Sequence, residues 1–133
     1  MRIAIALVLI LTGLAFPARA DDLASAQAMI RAQDEAISRD DAAAAFSYAA
    51  PVIKRVFSQP EIFMAMVRQG YAPLYKPRSF EFGKGQVLDG GVVQIVYLTD
   101  ADGVAWEALY TLERQQDGSL KITGCTIKKA TTA

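Results

Sequence analysis

The chain has 133 residues, with 14 basic and 14 acidic side chains, no histidine and one cysteine. Without histidine it lacks the commonest general base and the commonest transition-metal ligand, which excludes most nucleophile–base pairs. The balanced charge gives no basic excess for nucleic acid, and no acidic spacing resembles a calcium loop. We therefore expect no metal, no cofactor and no nucleic-acid partner.

The first twenty residues have the pattern of a cleavable secretory signal peptide. Arg2 precedes an apolar run over residues 3–16, and Ala18 and Ala20 place small residues at the cleavage site. The run is shorter than the roughly 20 residues that span a bilayer. We therefore expect cleavage between Ala20 and Asp21, no stable membrane anchor afterwards, and a periplasmic or secreted protein.

Cleavage leaves one domain over residues 21–133. Losing 20 of the 133 residues and two of the 14 basic side chains leaves 113 residues, with 12 basic against 14 acidic side chains. The lone Cys125 can form no internal disulfide, so the fold depends on its core. Cys125 lies between Ile122 and Ile127 in an apolar stretch, which favours a buried small side chain over a reactive thiol.

Helical periodicity dominates the first half of the mature chain. It predicts helices over residues 23–37, 42–49 and 59–69, with one or two helical turns over residues 52–57 and a left-handed terminator at Gly70. The stripe of the first helix is Leu23, Ala26, Ile30, Gln33 and Ile37. The predicted caps are Asp21 or Asp22, then Asp40 or Asp41, then a capping box of Ser58 with Glu61.

The second half has the alternation of β-strands. Strands are predicted over residues 79–83, 92–99, 104–114 and 119–128, with residues 86–88 continuing or restarting the first and Gly124 forming a bulge. In the third strand Trp106, Ala108, Tyr110 and Leu112 face one side, and Glu107, Thr111 and Glu113 face the other. Short turns between the strands make them antiparallel neighbours.

Together these elements predict an α+β domain, in which three N-terminal helices pack on a curved antiparallel sheet of about four strands. The helices need an apolar surface to pack on, and the apolar face of the sheet needs a cover. A curved sheet wrapped around the helices forms a cone with a pocket at its open end.

Several phrases of the sequence are informative when taken together. They are Gln33 with Asp40-Asp41 and Ala45-Phe46, residues 51–57, 63–71, 73–79 and 110–115, Asp117-Gly118 and Gly124-Cys125. In this order they resemble an exported bacterial family known as domain of unknown function 4864. The resemblance covers nearly all of the mature chain and implies no activity or catalytic residue. The element order is more loosely similar to the nuclear-transport-factor-2-like cone fold, which hosts both enzymes and non-catalytic binders.

Six side chains are candidates for the pocket, and each also has a structural interpretation. Gln33, on the apolar stripe of the first helix, bonds the backbone or binds a ligand. Glu107, in mid-strand, forms an exposed cross-strand pair or acts as a general base. The remaining candidates are a rim phenol or oxyanion donor at Tyr71 and Tyr75, a surface charge or anion clamp at Arg78, and a core or ligand-stacking ring at Trp106.

Three functions remain open at this point. A non-catalytic module that binds a small ligand or a protein is favoured, because no acid–base pair, nucleophile or metal cluster stands out. The first alternative is a histidine-independent isomerase or hydrolase that uses Glu107 with Tyr71 or Tyr75. The second is an oligomeric envelope protein, such as a homodimer, whose open sheet face is covered by a partner.

Overall fold

The computed structural model describes residues 18–131, and within them the predicted α+β architecture is confirmed. The helices are α1 Ala18–Ser38, α2 Ala42–Ser47, α3 Pro51–Phe57 and α4 Pro60–Gly70, followed by a 3₁₀ helix at Ala72–Leu74. The strands are β1 Ser79–Leu88, β2 Gly91–Thr99, β3 Ala105–Arg114 and β4 Leu120–Lys129. One difference is that residues 51–57 form a complete helix, so the helical layer has four members instead of three.

The predicted signal peptide falls almost wholly outside the described residues, which include only its last three positions, in α1. Among residues 18–131, no helix is both long enough and apolar enough to cross a membrane.

The four strands form one antiparallel sheet in the order β1-β2-β3-β4. Because side chains alternate across a strand, every second residue of β2 and β3 faces the helices. These inner residues pack against Ala26 and Ile30 of α1, both completely buried. The inner residues of β2 and β3 in this cluster are Val92, Val96, Leu98, Ala108, Tyr110 and Leu112.

A second apolar cluster lies within the helical layer itself. Ala36 and Ile37, one to two turns beyond Ile30 in α1, pack against residues of α2 and α4. The rings of Phe46 and Phe63 lie 5.6 Å apart, centroid to centroid. α1 therefore belongs to both clusters, its first half packing mainly on the sheet and its second half on the other helices.

Two irregularities bend the edge strands. The register of β1 against β2 shifts between Phe82 and Gly85, so the two predicted segments are one strand with a bulge. In β4 the register shifts between Ile122 and Gly124, so the bulge exists but its extra residue is Thr123, one position before the predicted Gly124. Bulges of this kind increase local twist and curve the sheet around the helices.

The ends of α1 and α2 differ in part from the predicted caps. Asp41 caps α2, accepting a hydrogen bond from the Ala44 amide at 3.1 Å. Asp40 is not a cap: it has a left-handed φ of 58°, and its carboxylate accepts hydrogen bonds from Arg68 and Tyr75. Neither Asp21 nor Asp22 precedes α1, because that helix already begins at Ala18.

Two other helix-end predictions were wrong. Ser58 does not form a capping box with Glu61, because its φ is 58° and its hydroxyl donates to the Phe57 carbonyl, leaving Gln59 as the residue before α4. Gly70 is no left-handed terminator, because α4 includes it and the chain continues into the 3₁₀ helix through Tyr71. The left-handed glycines of the described chain are Gly90, Gly103 and Gly118, in the strand connections.

Candidate functional site

A cavity of about 190 Å³ lies where the helical layer meets the inner face of the sheet. Most of its wall is apolar, and α1, α3, α4, β3 and β4 all contribute. Ile53 and Phe57 line it from α3, a helix that has no buried residue. The cavity therefore approaches the surface of the molecule beneath α3. The other apolar wall residues are Ile37, Ala49, Phe63, Met66, Val67, Leu74 and Ile122.

Two of the six predicted pocket residues, Gln33 and Tyr71, line this cavity. Gln33 is 5% exposed, and its Nε2 donates to the carbonyl of Ala45 in α2 at 3.2 Å. The Tyr71 hydroxyl donates to the carbonyl of Cys125 at 2.8 Å, and burial raises the pKa of this phenol. Both polar groups are thus tied to backbone and join elements across the cavity.

Tyr110 and Cys125 are the other chemically active groups of the wall, and the sequence indicated only that they are core residues. They are direct cross-strand partners on the inner face. Burial holds the pKa of Tyr110 well above its ordinary 10.0, and Cys125 and Asp34 add to the shift. Burial raises the pKa of the Cys125 thiol to about 12. Both groups keep their protons at neutral pH, so Cys125 is not a nucleophile there.

Asp34 is a buried acid that the sequence interpretation overlooked. Its residue surface is only 8% exposed, and its Oδ1 atom has no hydrogen-bond partner among residues 18–131. Burial raises its pKa to about 6, although nearby Arg31 acts in the opposite direction. The helical spacing in the sequence could have predicted this burial. Asp34 is four residues after Ile30 and three before Ile37, and so it shares their face of the helix.

Arg31, the cation nearest to Asp34 in sequence, is engaged elsewhere. Its guanidinium lies 5.0 Å from the ring centres of both Phe80 and Phe82, and it donates to the Phe80 carbonyl at 3.4 Å. These contacts attach α1 to β1. They leave the Asp34 carboxyl without an ion-pair partner in the described chain.

The remaining four predicted pocket residues are not part of this cavity. Tyr75 donates its hydroxyl to Asp40 between the cations of Arg68 and Lys76. Trp106 faces the helical side but lies in a separate groove, where its indole donates to Asp100 at 2.8 Å. The last two are Arg78, which is exposed near Gly103, and Glu107, which alternation places on the outer sheet face opposite Tyr97 and Lys128.

Residues 18–131 contain no group of three or more acidic or cysteine side chains arranged to hold a metal ion.

Comparison with known families identifies the chain by sequence. The family model described as Domain of unknown function (DUF4864) matches residues 19–133. The chain belongs to this family. No protein with a curated description matches the sequence. Membership of DUF4864 gives no activity, so the function has to be argued from the site.

Solved structures show the fold of this DUF4864 member. An NTF-2 like protein of unknown function from Silicibacter pomeroyi DSS-3 has a TM-score of 0.56 and 14% identity, over 84% of this chain and 98% of that one. An NTF-2 like protein of unknown function from Burkholderia xenovorans LB400 has a TM-score of 0.52 and 14% identity, over 84% and 89% of the two chains. The fold is therefore NTF2-like, as the order of elements predicted.

Replacing the buried acid should change how stability depends on pH. Because the folded pKa of about 6 lies above the ordinary 3.8, the native state retains a proton that the unfolded state loses between these values. The contribution of Asp34 to the stability of the wild type should therefore be lost as pH rises from about 4 to about 6. Asp34→Asn should abolish this loss. Above pH 6 its free energy of unfolding should exceed that of the wild type by on the order of 2 kcal/mol.

Urea unfolding from pH 4 to pH 8 measures this difference, with the exposed turn residue Asp89→Asn as the matched control. Parallel profiles for the wild type and Asp34→Asn would contradict the assignment of a raised pKa to Asp34.

Proposed function

We propose that this DUF4864 domain is an exported, non-catalytic binding module that holds one small, mainly apolar molecule in the cavity between helices and sheet. The observation that carries the proposal is the cavity itself, about 190 Å³ in volume and walled by side chains from six elements, including the 3₁₀ helix. A well-formed apolar pocket with a few convergent polar groups is the usual form of a small-molecule site.

The chemistry of the wall supports binding over catalysis. Gln33 and Tyr71 are hydrogen-bonded to backbone carbonyls, and the thiol of Cys125 stays protonated. Glu107 and Tyr71, considered from the sequence as an acid–base pair, lie on opposite faces of the sheet and cannot act on one substrate. Apolar contact then remains as the main source of affinity, at roughly 25 cal/mol for each Å² removed from water.

Blocking the cavity from α3 tests this function. Ile53→Trp places a larger ring against the cavity, and α3 can accommodate it because none of its residues is buried. We expect toluene at high concentration to raise the melting temperature of the wild type, since a ligand that binds only the native state stabilises it. Ile53→Trp should lose this increase.

Val56→Trp is the matched control, because Val56 belongs to the same helix but is 72% exposed and does not line the cavity. It should keep the toluene effect, measured by circular dichroism. If a panel of neutral compounds of this size produces no shift in the wild type, the binding function is wrong.

Export is the second part of the proposal, and it is supported by the signal-peptide pattern of residues 1–20. Expression in a Gram-negative host should yield a periplasmic protein whose intact mass and N-terminal sequence begin at Asp21. Replacing Ala18 and Ala20 together by lysine removes the small residues at the cleavage site and should leave the precursor uncleaved. A full-length wild-type protein in the cytoplasm would refute export.

A homodimer is a second candidate role, which the outer sheet face favours. Tyr97 and Leu109 are 48% and 38% exposed there, and Leu109 pairs with Ile95. Acidic residues of β3 lie opposite lysines of β4 at both ends of the apolar patch, at Glu107 with Lys128 and Glu113 with Lys121. A twofold axis along the strands between β3 and β4 would place the acidic row of each copy over the basic row of the other.

Sedimentation equilibrium of the mature chain tests this association. We expect a dimer at micromolar concentration, and Leu109→Glu should dissociate it by placing a charge in the apolar patch. Val56→Glu, a charge on α3 instead, should leave the dimer intact. A wild-type monomer up to submillimolar concentration would rule the dimer out.

A further inference from the structure

We infer that the cavity selects an uncharged guest, a single-ring or similarly compact molecule whose one polar oxygen accepts a hydrogen bond from Tyr110. This inference names the ligand class of the binding function proposed above and therefore rests on it. Three features of the cavity carry it: its size, the charges around it, and the hydrogen-bonding state of its polar groups.

The size of the cavity limits the guest to a small molecule. An apolar cavity of about 150 Å³ in a protein core binds benzene, and this cavity measures about 190 Å³. The additional space corresponds to a short substituent on the ring. A long lipid chain or a dinucleotide would not be enclosed by these walls and would extend into solvent.

The charges near the cavity disfavour an anionic guest. No lysine or arginine lines it, and Lys54 of α3 lies over the Phe46 ring instead, 5.9 Å from its centre. An anion would therefore be desolvated without a counter-ion, at a high cost in free energy. Asp34 is close enough to influence the Tyr110 hydroxyl, and its negative charge disfavours an anion further.

A cationic guest lacks a partner for a different reason. No carboxyl of residues 18–131 lines the cavity, and Asp34, whose charge reaches Tyr110, does not belong to the wall, so it attracts a cation without being its direct partner. An ammonium group in the cavity would meet a phenol, a thiol and backbone, none of which carries a negative charge at neutral pH.

Tyr110 is a hydrogen-bond donor that a guest can engage, because its partner within the described chain is only the Cys125 thiol. The Tyr71 hydroxyl and one of the two Nε2 hydrogens of Gln33 are already bonded to the carbonyls of Cys125 and Ala45. The Tyr110 hydroxyl is buried, keeps its proton at neutral pH and faces the Cys125 thiol. Sulfur is a weak acceptor, so an alcohol or carbonyl oxygen of a guest is a better partner for this hydroxyl.

Four compounds of one size test the inference: toluene, benzyl alcohol, benzoate and benzylamine. Binding to the mature wild-type protein is measured by calorimetry at neutral pH. Toluene and benzyl alcohol should bind, whereas benzoate and benzylamine should not bind detectably. Tyr110→Phe, which keeps the ring and removes the hydroxyl, should lower the affinity for benzyl alcohol about tenfold, because the alcohol oxygen loses a partner. The affinity for toluene should not change.

Tyr97→Phe is the matched control, because Tyr97 lies on the outer face, and it should alter the affinity of neither compound. Binding of benzoate or benzylamine as tight as that of benzyl alcohol would overturn the inference while leaving a binding function intact. An unchanged affinity of benzyl alcohol for Tyr110→Phe would do the same. If all four compounds fail to bind, the proposed function fails together with the ligand class.

Discussion

The packing of α1 across the inner face of the sheet joins the helical layer to the strands. Ala26 and Ile30 are fully buried there, and the small side chain of Ala26 lets helix and sheet approach closely. The second half of the same helix carries Gln33 and Ile37 away to the other helices. The cavity lies at this division between the two apolar clusters.

Asp34 is a destabilising feature of the core at neutral pH. A buried carboxyl whose Oδ1 has no hydrogen-bond partner in the described chain opposes folding there, and an apolar residue of similar size would not. The acid lies one position after Gln33, and its charge is felt by Tyr110. Groups with strongly shifted pKa values concentrate near functional sites. Asp34 and Tyr110 are two such groups, and they are close enough to influence each other.

Local patterns predicted the fold well because they report which face of each element is buried. Alternation in β3 also predicted the sheet face of Glu107, because it places this acid on the side opposite Tyr110. The structure has the same arrangement. Other features depend on contacts between distant elements. Asp40 resembled a cap in sequence, but its role comes from Arg68 and Tyr75, about 30 residues away along the chain. The cavity likewise requires six elements to be placed before its wall exists.

The helix α3 is the part of the cavity wall that opens most easily in the proposed binding function. This helix lines the cavity with Ile53 and Phe57 and has no buried residue, whereas α1 and the sheet hold the main core. Segments with few buried apolar contacts open at a lower free energy than the core does. In the proposed binding function, a guest would enter or leave by displacing α3 while the packing of α1 on the sheet persists. The division of α1 between two clusters thus makes the cavity compatible with a stable domain.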